Sequence, residues 1–169
     1  TATETSNNHQ ASTMNTIDVT VNQVNDAPLI ADLIGSVNVV FGGNAVNIDN
    51  NLTVTDIDNN IQSATVSLTD ILDGAAEVLA ADASVLTANG VQASYSYSAG
   101  TNTGTLSITP TGSAVTPAAI EAVLETLSYQ NQSGSPTLGD RALSMQVQDE
   151  SAADSNALNA TITTQILNP

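Results

Sequence analysis

The sequence contains no cysteine, lysine or tryptophan among its 169 residues, and it has one arginine and one histidine. Without cysteine, a disulfide framework, a zinc–thiolate site and a thiol nucleophile are all excluded. With Arg141 as its one cation, the chain lacks the clustered basic side chains that bind phosphate, which excludes nucleic acid and disfavours an anionic membrane surface as partners. No apolar run approaches the roughly 18 residues that a membrane span requires. No signal peptide is recognisable, and the start at Thr1 is typical of a processed or excised fragment.

The scarcity of aromatic residues and histidine argues against an enzyme. The histidine, His9, lies in a polar N-terminal segment, so a nucleophile with a histidine base cannot be assembled in the rest of the chain. Aromatic residues make up only 2% of the sequence, which leaves few platforms for the sugar cleft of a glycosidase. A calcium-dependent carbohydrate-binding module, which would recognise surface glycans, stays open as an alternative. Tyr95 and Tyr97 share one face of a predicted strand, where they form either a small platform for a sugar ring or a pair that packs in the core.

What the chain has in excess is negative charge. Its 17 acidic residues give a formal net charge of −16. Such a chain repels itself unless cations neutralise it, and divalent cations do so most economically. We therefore expect Ca²⁺ as the cofactor of a secreted, extracellular or cell-surface protein. The simpler interpretation is that the charge keeps the protein soluble and that Asp and Asn favour turns.

Alternating apolar and polar residues predict an all-β fold. One segment changes period: Thr116 can cap a helix that begins at Pro117, and its apolar residues then recur at helical spacing. This pattern predicts an immunoglobulin-like β-sandwich of about seven strands with one short crossover helix, over residues 25–169. The seven predicted strands are 37–41, 52–55, 61–69, 91–97, 105–109, 142–147 and 158–167.

Residues 1–24 are predicted to be an N-terminal extension that carries one strand, at 16–24. This strand resembles the last strand of the domain, and an Asn/Pro break closes both. In one interpretation the extension is the tail of a preceding tandem copy. In the other it is a donor strand that fills a sheet edge of the next subunit. Both are head-to-tail contacts with neighbouring copies, which build a string or filament.

Three motifs then occur in the order found in one known family. They are VNQVNDAP at 21–28, LTVTDID at 52–58, and LSYQN at 127–131 followed by GDR at 139–141. Together they resemble the cadherin-like or immunoglobulin-like tandem repeats of large bacterial cell-surface adhesins, over residues 21–167. The resemblance implies an extracellular, calcium-binding β-sandwich whose work is structural. The chain departs from the family at its closing motif, Asn168-Pro169, which lacks the acidic residue.

The topology of such a sandwich brings distant acidic segments to one end, because its B–C and F–G loops lie together. The entry to the first strand should arrive at the same end. Calcium takes about 6–8 oxygen ligands, more than one of these loops offers alone. We therefore predict a calcium site where the three segments meet. Its candidate ligands are Asn25 and Asp26 from the entry, Asp56 and Asp58 from the first loop, and Asp149, Glu150 and Asp154 from the second.

Overall fold

Strands in which small or branched apolar side chains alternate with hydroxyl side chains are the main regular elements of the fold. A computed structural model describes residues 17–40 and 44–165. The strand Ile61–Thr69 buries Ile61, Ala64, Val66 and Leu68 and turns its hydroxyls outward. The strands are β1 (Leu29–Ala31), β2 (Ser36–Val40), β3 (Val46–Asn47), β4 (Thr53–Thr55), β5 (Ile61–Thr69), β6 (Glu77–Ala80), β7 (Val91–Ser98), β8 (Thr103–Pro110), β9 (Ser128–Asn131), β10 (Gly139–Asp149) and β11 (Leu158–Gln165).

One six-stranded sheet has the order β2-β11-β10-β5-β8-β7. All its neighbours are antiparallel except β2 and β11, which run parallel. Opposite it lie a three-stranded sheet, β3-β9-β6, and the pair β1-β4. A single aliphatic core fills the space between the layers. The predicted fold class, an all-β sandwich, is confirmed.

The predicted helix is also confirmed. It is α2 (Pro117–Leu124), and the Thr116 hydroxyl accepts a hydrogen bond from the Ala119 backbone N–H at 3.3 Å. Its apolar face, Ile120, Val123 and Leu124, is completely buried in the core. A second short helix, α1 (Ala83–Ala88), begins after Asp82, whose carboxylate accepts from the N–H groups of Ser84 and Val85.

The strand count is higher than predicted, because four additional strands are only two to four residues long. They are β1, β3, β6 and β9, each too short to display an alternation of its own. The stretch 70–90, which lies between two predicted strands, contains β6, a 3-10 turn at Gly74–Ala76 and α1. The predicted strand ends at 41 and at 166–167 lie outside the described residues.

The predicted strand 16–24 differs from the structure. Residue 16 lies outside the described part, and residues 17–28, here called the leader, contain no strand. The aliphatic side chains of Ile17, Val19, Val21 and Val24 are 79–86% exposed. Pairing of this segment with a neighbouring copy stays a prediction. Within the described residues, no helix is long and apolar enough to cross a membrane.

Candidate metal centre where the leader joins the sandwich

The first component of the site is the turn that follows β4. The Asp56 Oδ1 atom accepts hydrogen bonds from the backbone N–H groups of Asp58, at 3.1 Å, and Asn59, at 2.9 Å. An aspartate commonly closes a turn in this way, which explains the residue type at this position. The turn uses one oxygen of Asp56 and leaves Oδ2 for another partner.

The second component is the end of β10. Asp149 continues the alternation of inward-facing residues along β10, after Met145 and Val147, and its side chain is completely buried. Its Oδ1 accepts from the Ala153 N–H at 2.8 Å and thereby holds the loop that follows β10. That loop also contains Ala152 at a φ of 66°, a tight left-handed turn.

The leader joins these two loops. The Asn25 side-chain amide donates to Asp149 Oδ2 at 2.8 Å, and the Asp26 N–H donates to Asp58 Oδ2 at 3.2 Å. The Asn59 amide donates to Asn25 Oδ1 and also, at 3.2 Å, to Ser151 Oγ. An open cleft of about 220 Å³ lies at this junction, and Gln23, Asn25, Asp58, Asn59 and Ser151 line it.

Two carboxylate oxygens at this junction are buried without a hydrogen-bond partner. They are Asp56 Oδ2 and Asp58 Oδ1. Most buried side-chain polar atoms in proteins have a hydrogen-bond partner. A buried polar group without one lowers the free energy of unfolding by about 1–3 kcal/mol, and a charged group lowers it by more. A hard divalent cation is a natural partner for two neighbouring carboxylates and an amide oxygen, and this donor set fits Ca²⁺.

The structure brings together four of the seven predicted ligands: Asn25, Asp56, Asp58 and Asp149. Asp26 and Glu150 contact this junction through backbone N–H groups, and their side chains are exposed. The Glu150 N–H donates to the Asn60 carbonyl at 3.0 Å. Among the described residues, no group of three or more His, Cys, Asp or Glu side chains is close enough to hold a metal ion. A cation here would therefore also need amide, carbonyl or water oxygens.

Asp154 is not part of this cluster. It accepts a hydrogen bond from the Gln148 side chain at 2.9 Å. It lies in a separate cleft with Ser63, Thr65 and Gln146. Sequence position placed it in the correct loop, but the pairing of Gln148 with Asp154 turns it away from the junction.

A second buried charged cluster was not predicted as such. Arg141 is completely buried, and its Nε and Nη2 atoms donate to the two carboxylate oxygens of Glu77 at 2.9 and 2.8 Å. Its Nη2 also lies 3.3 Å from Asp73 Oδ2, and the Tyr129 hydroxyl donates to Glu77 at 2.8 Å. Asp140, the neighbour of Arg141 in the sequence, does not pair with it, because adjacent strand residues point to opposite faces. Asp140 instead accepts from the Thr163 hydroxyl on the outer face.

The partners of this cluster decide its protonation. Burial alone would raise the pKa of Glu77, but hydrogen bonds from Arg141, Tyr129 and the N–H groups of Asp73 and Leu72 outweigh it and hold that pKa below its usual range. For Tyr129, burial and the hydrogen bond to Glu77 both raise the pKa. The cluster is thus a fixed ion pair, and it contains the sequence's single arginine, which is the signal that could have revealed it.

The two tyrosines of β7 are structural. The Tyr95 hydroxyl donates to the Glu77 carbonyl at 2.7 Å, and the Tyr97 hydroxyl donates to Asn102 Oδ1 at 2.8 Å. Both rings are half-buried against the core. They form no exposed aromatic platform.

No protein-family model and no curated protein matches the chain. Among solved structures, a chain from the type I cohesin–dockerin complex of OlpC from Clostridium thermocellum aligns at 14% identity, over 86% of this chain and 100% of that chain, with a TM-score of 0.38. A chain from the corresponding OlpA complex of the same organism aligns at 12% identity, over 83% and 100%, with a TM-score of 0.42. At this level of similarity, neither alignment assigns a partner or an activity to this chain.

Proposed function

We propose that this protein is a non-catalytic, extracellular structural repeat that binds Ca²⁺ at the junction between its leader and its sandwich. The observation that carries the proposal is the pair of buried, unpartnered oxygens on Asp56 and Asp58. They lie in a turn to which the leader is hydrogen-bonded through Asp26, which donates to Asp58, and Asn25, which accepts from Asn59. A cation bound there would stiffen the connection between successive copies in an adhesin stalk or filament.

The residues at the junction would have different roles in binding the ion. Asp56 and Asp58 would supply carboxylate oxygens, and Asn25 an amide oxygen. Asp149 would hold Asn25 in place through the 2.8 Å hydrogen bond that Asn25 donates. The ion itself would supply positive charge to a chain whose net charge is −16. Such neutralisation lowers the repulsion among carboxylates that are brought together at one end of the fold.

The leader gives the repeat a direction. Its four aliphatic side chains, at positions 17, 19, 21 and 24, are exposed within eight residues of an acidic chain, and such a group of exposed apolar side chains is typical of a surface that another protein covers. The preceding copy in a tandem array is the partner we favour, with donor-strand insertion into a separate subunit as the alternative. Either arrangement joins copies head to tail.

Thermal melting in about 10 mM CaCl₂ and in EDTA tests the proposed cation site. With calcium in about hundredfold excess over its dissociation constant, we expect the melting midpoint to rise by about 5–10 °C for a chain of this size. Asp58→Asn should remove most of the rise. The matched control is Asp70→Asn, at an exposed turn residue with a φ of 57°. A midpoint that is the same in calcium and in EDTA would refute the proposal.

A further inference from the structure

The outer face of the six-stranded sheet is a continuous surface of hydroxyl and amide side chains. The strand registers align these side chains in rows across neighbouring strands. A row of four spans roughly 14 Å, because neighbouring strands lie about 4.8 Å apart. One row consists of Gln146, Thr65, Ser107 and Ser94, and the next of Asn159, Ser144, Ser67, Thr105 and Ser96.

This face carries almost none of the charge of the molecule. The sequence has 17 acidic residues. Within the strands of this sheet, as far as the structure describes them, Asp140 is the one acidic residue that points outward, since Asp149 is buried. Asp140 lies near one corner, where it accepts from the Thr163 hydroxyl at 2.7 Å. The outer face is therefore the part of this acidic surface that a neutral partner can approach without displacing counter-ions.

A shallow cleft of about 200 Å³ lies in the same face. Ser63, Thr65, Gln146, Gln148 and Asp154 line it, together with Val147. The Gln148 side chain donates to Asp154 at 2.9 Å, which orients both groups at the end of the cleft. The cleft is thus polar, with donors and acceptors in one place and a single carboxylate at its margin.

We infer that this face binds a neutral polysaccharide. Hydroxyl and amide side chains both donate and accept hydrogen bonds, as sugar hydroxyls do. A protein partner fits less well, because the cores of protein–protein interfaces are enriched in aromatic residues, Met and Arg, and the outward residues of these strands include none of them. A second copy would also bring another net charge of −16. Each contact is weak, and an array of repeats would add to the retention through multivalency. The inference does not depend on the cation site.

Retention of the 169-residue chain on insoluble cellulose, insoluble β-1,3-glucan and immobilised dextran tests this inference, with alginate as an anionic control. We expect retention on at least one neutral polysaccharide and none on alginate. Because the face carries almost no charge, retention should be nearly the same at low and at molar salt. It should also persist in EDTA, which separates this surface from the proposed calcium site.

Ser107→Asp places a charge at the centre of the face, between Ser94 and Thr65. We expect at least a tenfold loss of retention, and the same for Thr65→Asp, with unchanged melting midpoints. The matched control is Ser113→Asp, at an exposed loop residue away from the sheet, which should be retained like the wild type. No retention on any neutral polysaccharide, equal retention of both Ser→Asp variants, or loss of retention in EDTA would each overturn the inference. So would sedimentation showing a dimer that Ser107→Asp dissociates, since the occupant would then be a second copy.

Discussion

At the scale of single residues, the buried Arg141 is the side chain on which the stability of the fold most clearly depends. Its guanidinium donates hydrogen bonds from Nε and Nη2 to the Glu77 carboxylate. Nη1 also donates to the Gly139 carbonyl at 2.8 Å, and Nη2 to the Thr137 carbonyl at 2.9 Å. A buried ion pair is not by itself strongly stabilising, but removing one member leaves an uncompensated charge. The cluster therefore links β6 to β10, and we expect the fold to tolerate replacement of Arg141 only when Glu77 is replaced as well.

Arg141→Met is expected to lower the free energy of unfolding by about 3–5 kcal/mol, because Glu77 is left buried and unpaired. Urea unfolding followed by circular dichroism measures the effect. The double variant Glu77→Gln, Arg141→Met should be more stable than Arg141→Met alone, since the buried charge is gone. A single variant within about 1 kcal/mol of wild type would contradict the assigned role.

The lowered pKa of Glu77 predicts a dependence of stability on pH. A carboxyl whose pKa is lower in the folded state than its ordinary value of 4.5 stabilises the fold above that value. This contribution is lost as the pH falls from about 4.5 through the folded-state pKa. The difference in unfolding free energy between wild type and Glu77→Gln should therefore be largest near neutral pH and shrink in acid. A difference that grows below pH 4.5 would be inconsistent with this assignment.

At the scale of elements, the packing of β7 on β8 depends on one glycine. A Cβ at Gly104 would clash with the Tyr95 hydroxyl oxygen and lie 2.8 Å from its ring carbon Cζ. The Tyr95 ring thus crosses directly over Gly104 to reach the Glu77 carbonyl. Because Gly104 has no side chain, the Tyr95 ring can lie over it, and β7 can pack on β8 at the edge of the sheet.

Gly104→Ala should destabilise the fold by about 1–3 kcal/mol, because the Tyr95 ring must move and its hydrogen bond to Glu77 is lost. The matched control is Gly112→Ala, where a Cβ meets nothing within 4 Å. Chemical denaturation of both variants provides the comparison. Equal stabilities for the two would show that Tyr95 can relax without cost.

The elements that sequence could predict are those whose own pattern decides their structure. Strand β5 alternates apolar and polar residues from Ala64 to Thr69 and was predicted at its correct bounds. Helix α2 has a cap, a first-turn proline and an apolar face, and its start at Pro117 was predicted correctly. Strands β3 and β9 form only because they pair with each other within the three-stranded sheet, where Val46 lies opposite Tyr129. Such long-range pairing leaves no local signal in a segment of two to four residues.

The candidate site was predictable to a similar extent. Sandwich topology correctly placed Asp56, Asp58 and Asp149 at one end, because loops that connect across a sandwich lie together. The exclusion of Asp154 depends on its pairing with Gln148, and the Arg141–Glu77 pair joins residues 64 positions apart. Neither contact is encoded in the spacing of the residues involved.

At the scale of the whole molecule, the proposal that the chain is a repeat depends on its leader. In a fusion of residues 25–169 followed by the full chain, the leader should be covered by the upstream copy. Hydrogen exchange of the amides at 17–24 should then be slower than in the single chain. Replacing Ile17, Val19 and Val21 by Ser in the fusion should restore fast exchange.

Equal exchange in the fusion and in the single chain would exclude cover by a tandem copy. In that case, concentration-dependent oligomers of the single chain in sedimentation velocity would support donor-strand insertion. The triple Ser variant should then sediment as a monomer. The control is Leu138→Ser, at an exposed leucine outside the leader, which should behave like the wild type in both measurements.

The central claim is that a calcium ion binds where the leader meets the sandwich, and amide NMR during a calcium titration tests it most directly. We predict saturable shifts confined to the amides of the three joined segments, with Asp26, Asp58 and Asn59 among the largest because their N–H groups bond to the carboxylates concerned. The same titration of Asp58→Asn should be much weaker. Shifts centred elsewhere, or none at millimolar calcium, would contradict the account.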